Sequence, residues 1–183
     1  DALRQACATD PLFYVNVFGW TYDPLRYPEK PVRPFVLYEF QEQGLLELLT
    51  AIGSHDILIA KSRDMGATWL CLLAMLWRWQ FMAHQSFLLA RRNESYLDEI
   101  GNQKTLFAKL DFLLANQPRW LKPRIGLTSK NGRRPLMRME NLDNGSQFNG
   151  ESATGELGRG DRRTAILWDE CAAWDVQDGY RAL

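Results

Sequence analysis

The chain has 183 residues, 46% of them hydrophobic and 24% charged, the composition of one globular domain with a sizeable core. Its 22 Lys and Arg balance 22 Asp and Glu, so no overall positive field holds nucleic acid, which argues against a stand-alone DNA-binding module. Cys7, Cys71 and Cys171 are odd in number and widely spaced, and neither His55 nor His84 stands at metal-ligand spacing from them. That excludes a disulfide framework or zinc site as the organising device and makes a reducing, intracellular compartment the simplest reading.

Residues 9–35 are rich in Pro and aromatics and read as an irregular arm, so the expected organisation is an N-terminal arm over 1–38 packed on a domain over 39–183. Leu45, Leu46, Leu48, Leu49 and Ile52 recur at helical spacing and predict a helix from Glu39 to Ile52, stopped by Gly53. Asp56–Ala60 reads as a short buried parallel strand, followed by a loop containing Gly66 and an apolar helix from Thr68 to about Met82. The apolar stretch Trp69 to Ala83 is interrupted by Arg78 and Gln80 and is too short and polar for a membrane span, so no membrane contact is expected. Ser86–Ala90 predicts a second buried strand, and Asn93 to Leu114 a helix carrying Leu97, Ile100, Leu106, Leu110 and Leu113. Residues 116–135 read as a loop or mobile segment. Leu136–Met139 and Ser146–Phe148 predict strands joined through the Asn144-Gly-Ser146 turn, a Gly-rich charged stretch covers 149–163, and Thr164–Trp168 is the last buried strand. Strands alternating with helices argue for a parallel α/β sheet flanked by helices.

Between the first strand and the following helix stands Lys61-Ser62-Arg63-Asp64-Met65-Gly66-Ala67-Thr68. Against the phosphate-loop pattern G-x-x-x-x-G-K-[ST], Gly66 and Thr68 match, while Lys61 replaces the first glycine and Ala67 the lysine. A phosphate cradle needs backbone N–H groups, a helix N-terminus and a cation. Gly66 permits close backbone approach, Thr68 can offer a hydroxyl to Mg²⁺, and Lys61 can reach the phosphates from the loop's other end, with Arg63 a second cation. An ordinary strand–turn–helix is the competing account. The second element is Asp169-Glu170, directly after four apolar or small residues. There Asp169 would hold Mg²⁺ and Glu170 would orient the attacking water, the alternative being an acidic turn.

KSRDMGATW, then NGSQF, then GRGDRRTAILWDECA resemble, in that order, the ATPase domain of the tailed-phage terminase large subunit, including a loop variant with its lysine at the start. The resemblance covers most of the chain. It implies a P-loop NTPase fold of the RecA/ASCE type with ATP and Mg²⁺ as ligands, pumping double-stranded DNA into a procapsid as a ring of identical subunits on the phage portal. It also implies the small terminase subunit as a partner and the host cytoplasm as location. Phe40-Gln41 matches an aromatic-Gln pair whose Gln contacts adenine, with Gln43 the competing candidate; residues 61–68 would bind the nucleotide. Arg63 matches a loop arginine that touches the γ-phosphate, and Arg159, in Gly158-Arg159-Gly160, an arginine acting on the neighbouring subunit's nucleotide, with Arg162 and Arg163 as rivals. The family's coupling motif, further strands and nuclease domain would follow Leu183; the chain also does not begin with Met, so a fragment truncated after the acidic-pair strand is expected.

Trp69, Trp77 and Trp79 are expected in the core, Cys171 as a buried small residue, and Arg91-Arg92 as a solvated strand end. Arg119, Lys122, Arg124, Lys130, Arg133 and Arg134 form the best local candidate for DNA contact, a solvated loop being the alternative. Two other functions compete: a superfamily 2-type helicase or another RecA-like nucleic-acid ATPase, and a degenerate P-loop scaffold that does not hydrolyse, which Ala67 favours and the acidic pair opposes.

Overall fold

A computed structural model describes residues 2–26, 30–128, 132–152 and 162–171. The elements in chain order are α1 (Ala2–Thr9), α2 (Pro11–Phe18), β1 (Trp20–Tyr22), β2 (Val32–Pro34), α3 (Glu39–Ala51), α4 (Ala67–Phe81), β3 (Ser86–Arg91), α5 (Leu106–Ala115), β4 (Arg138–Glu140), β5 (Gln147–Ser152) and β6 (Ala165–Trp168). The chain divides into two compact units, residues 1–77 with 109–122 and residues 78–108 with 123–183.

In the first unit the stretch expected to be irregular is structured. Asp10 caps α2, its carboxylate accepting the Phe13 N–H at 2.9 Å, and Pro11 sits in the first turn, where its missing donor costs nothing. Gly19 caps the helix end in an extended conformation, a place for glycine because a Cβ there would lie 2.4 Å from the Val15 carbonyl oxygen. β1 and β2 then pair antiparallel, Trp20 opposite Pro34. The arm is fastened by buried polar links: the Trp77 indole donates to the Cys7 carbonyl at 2.8 Å, and Gln117 donates to the Tyr14 hydroxyl at 2.6 Å. Burial pushes the Tyr14 phenol well above its ordinary value. The α3 helix forms as its periodicity predicts, and Gly53, at φ 81°, follows its end. Trp69 meets Phe112 edge-on at 5.7 Å, with the Lys109 ammonium over its ring.

The expected buried strand at Asp56–Ala60 is corrected. The segment pairs with no strand among the described residues, and Leu58 is 86% exposed. A parallel strand exists only through its ladder partners; without one, its backbone groups bond to water and its apolar side chains stay uncovered.

The second unit is built on a four-stranded sheet in the order β4-β5-β3-β6. β3 pairs parallel with β5 on one side and β6 on the other, and β4 closes antiparallel on β5. This is a mixed α/β arrangement with a mostly parallel sheet. Phe87, Leu88, Leu89 and Ala90 of the central β3 are fully buried, as a strand covered on both faces requires. Phe148 stacks between Trp79, at 5.7 Å, and Phe87, at 5.2 Å, which places Trp79 in the core as expected; Trp77 is likewise buried, in the first unit.

Two further expectations are corrected here. β6 is an edge strand among the described residues, with Ile166 41% exposed, because only β3 pairs with it. The long helix over Asn93–Leu114 shrinks to α5. Gly101 adopts φ 81°, and the Thr105 hydroxyl donates to the Asn102 and Glu99 carbonyls, competing with helical hydrogen bonds. Among the described residues no helix is long and apolar enough to cross a membrane.

Candidate functional site

The glycine loop lies in the first unit. Lys61, Ser62, Arg63, Asp64 and Met65 are solvent-exposed, and Ala67 and Thr68 open α4. Asp64 at φ 62° and Gly66 at φ 71° both take the left-handed conformation, which turns the chain sharply into the helix. The Leu70 N–H donates to the Gly66 carbonyl at 3.0 Å, so Gly66 supplies the first helical acceptor. Gly66 is confined as well as turned: a Cβ there would stand 3.1 Å from Gln41 Nε2 and 3.3 Å from the Phe35 ring.

Gln41 is neither solvated nor pointed into open space. It is 5% exposed, its Oε1 accepts the Tyr38 N–H at 3.1 Å, and its Nε2 donates to the Met65 carbonyl at 3.1 Å. Beside it, the rings of Tyr38 and Phe40 stack with centroids 5.9 Å apart and lie exposed.

The acidic pair lies in the second unit, at the carboxyl end of β6, where open parallel sheets present ligand-binding groups. Asp169 continues the ladder, its N–H donating to the Ala90 carbonyl at 3.1 Å. Glu170 turns away at φ 58°, a left-handed conformation rare for a non-glycine residue, and its side chain is 66% exposed. Neither carboxylate stands alone. Arg91, at the matching end of neighbouring β3, sends Nε and Nη2 to Asp169 Oδ2, both at 2.8 Å, and Nη2 to Glu170 Oε1 at 3.1 Å. Its Nη1 donates to the Lys104 carbonyl at 3.0 Å, so the guanidinium is buried and oriented. This corrects the expectation of a solvated strand end. A strand-terminal arginine is buried when two carboxylates meet it there, and only the pairing of β3 with β6 brings them. Arg92 is exposed, as expected.

Asp169 offers the hard oxygen donor that magnesium prefers, and magnesium ordinarily takes one or two carboxylates with the rest of its shell from water and substrate phosphates. The carboxylate chemistry fits such an ion, with Oδ2 already committed to Arg91.

Other candidates separate. Arg159 and Lys130 lie outside the described residues. Arg163 is buried, donating to Ser86 Oγ at 3.1 Å and reaching Glu151 at 3.8 Å, a poor posture for an arginine that must swing onto a neighbouring subunit's nucleotide; Arg162 is exposed. Two arginines of the basic stretch are engaged by carboxylates. Arg134 is buried in a bidentate pair with Asp98, at 2.6 and 2.8 Å, under the Phe107 ring. Arg124 pairs with Asp143 at 2.6 Å. Cys171 is exposed, not buried, because it follows the edge strand's last turn. The Asn144-Gly-Ser turn has an architectural role: Asn144 Nδ2 donates to the Trp79, Gln80 and Met82 carbonyls, and Ser146 Oγ to that of Met82, closing the end of α4.

No family model matches the chain, and no curated protein is significantly similar to it.

Proposed function

We propose that this chain is the ATPase motor domain of a terminase-like DNA-packaging protein, a P-loop NTPase that hydrolyses ATP to drive double-stranded DNA into a procapsid. The observation that carries the reading is the acidic pair at the carboxyl end of β6, with Glu170 turned out in a left-handed conformation. The tight glycine turn into α4 is the matching feature on the other motif.

In this reading Lys61, Arg63 and the backbone amides of residues 62–68 hold phosphate oxygens. Thr68 and Asp169 are the residues that would ligate Mg²⁺, which, when bound with the nucleotide, neutralises charge between the β- and γ-phosphates. Glu170 accepts a hydrogen bond from the attacking water and aligns it in line with the leaving oxygen. Arg159 reaches the neighbouring subunit's nucleotide within a homo-oligomeric ring on the portal. The small terminase subunit and the host cytoplasm complete that setting.

Calorimetric titration of Mg²⁺-ATP, paired with a phosphate-release assay, tests this. Lys61→Ala should weaken binding, and Glu170→Gln should keep binding while turnover falls by at least about a hundredfold. Retained turnover in Glu170→Gln would overturn the assignment.

One observation favours a second reading, a degenerate scaffold that does not hydrolyse. Asp56–Ala60 stands outside any sheet among the described residues, and Ala67 occupies the usual lysine position. Wild-type chain that binds a partner but releases no phosphate under any condition would favour that reading.

A further inference from the structure

We propose that Gln41 is a positioning residue for the glycine loop and does not read the base. This rests on the reading that residues 61–68 hold phosphate. An amide that recognises adenine must turn one donor and one acceptor to the base edge. Here Oε1 takes the Tyr38 N–H and Nε2 is given to the Met65 carbonyl, each at 3.1 Å, and 5% exposure leaves the amide little surface to offer a base.

What Gln41 does hold is a peptide plane. The Met65 carbonyl and the Gly66 N–H belong to one planar trans unit and point in opposite directions. Fixing the Met65 oxygen on Gln41 therefore aims the Gly66 N–H away from Gln41, and that N–H is one of the donors a phosphate cradle requires. The other end of the amide is anchored to the start of α3, so the loop inherits that helix's rigidity. Gly66 and Gln41 are also matched in space, since Nε2 fills the volume a Cβ at Gly66 would approach, at 3.1 Å. Loss of the Gln41 donor thus weakens binding of any triphosphate, whatever base it carries.

The test uses the 183-residue chain with Gln41→Ala and Gln41→Glu. The glutamate keeps the acceptor for Tyr38 and loses only the donor to Met65. Mg²⁺-ATP, Mg²⁺-GTP and Mg²⁺-tripolyphosphate are titrated into each, and amide hydrogen exchange of residues 65–70 is followed without ligand. Both variants should bind all three ligands more weakly by a common factor of about ten, the size of one hydrogen bond. Both should lose protection at Leu70, whose N–H donates to the Gly66 carbonyl. In Gln41→Glu that protection should return as the pH falls and the carboxyl protonates, because the acid then donates to the Met65 oxygen while its other oxygen accepts from Tyr38. Gln41→Ala should show no such recovery. A loss confined to Mg²⁺-ATP, or unchanged exchange at the loop in both variants, would overturn the proposal. If the wild-type chain binds none of the three ligands, the ATPase reading fails, and the exchange measurements still decide whether Gln41 holds the loop.

Discussion

Arg91 sets one buried guanidinium against two adjacent carboxylates at the end of a strand. Asp169 is nearly as buried as its partner, so removing the cation leaves a buried carboxylate without its counter-ion. Arg91→Met should lower unfolding free energy by on the order of 3 kcal/mol, read by urea denaturation. Adding Asp169→Asn should then cost less than it does alone, since the charge it removes is the one left unpaired. The acidic pair was legible because its position after Ala165–Trp168 follows from chain order. Arg91 was not, since an Arg-Arg doublet at a strand end has the same appearance whether it faces water or carboxylates 78 residues away. Gln41 belongs with it: the residue stood out in the sequence, but the direction of its amide follows from the Met65 carbonyl, which chain order does not place.

Elements formed where local signals and long-range partners agreed. α3 and α4 match their apolar periodicity, and β3 matches its apolar run. Asp56–Ala60 had the same kind of run as β3 and did not become a strand, because β3 has ladder partners on both sides and the earlier run has none among the described residues. The error over residues 9–35 was of another kind. Proline reads as a breaker in the sequence, although Asp10-Pro11 is a helix start in which proline fits the first turn. The Asn144-Gly-Ser segment is a turn, as its residues predict, and its work is to close α4. Asn144→Ala should therefore destabilise the chain by about 1 kcal/mol, since the Trp79, Gln80 and Met82 carbonyls lose this amide while Trp79 keeps Asn141 Nδ2 and Met82 keeps Ser146 Oγ, with the midpoint of chemical denaturation as the measure. An unchanged midpoint would mean that water replaces the amide without loss.

At the scale of the whole molecule, the proposed motor needs a neighbouring subunit to supply Arg159. In assembled rings, Arg159→Ala should bind Mg²⁺-ATP normally and lose turnover, and mixing it with Glu170→Gln subunits should restore part of that turnover. Mixed rings that stay inactive would count against an arginine acting in trans. By itself the sequence determined the helices α3 and α4 and where the central strand β3 runs, because periodicity and turn residues are local properties. The tertiary structure alone decided that β6 is an edge among the described residues, that Arg91 grips the acidic pair, that Arg134 pairs with Asp98, and that the Gln41 amide donates to the Met65 carbonyl. Burial and pairing are set by residues distant in the chain, so the same local pattern yields a buried strand in β3 and an exposed segment at Asp56–Ala60.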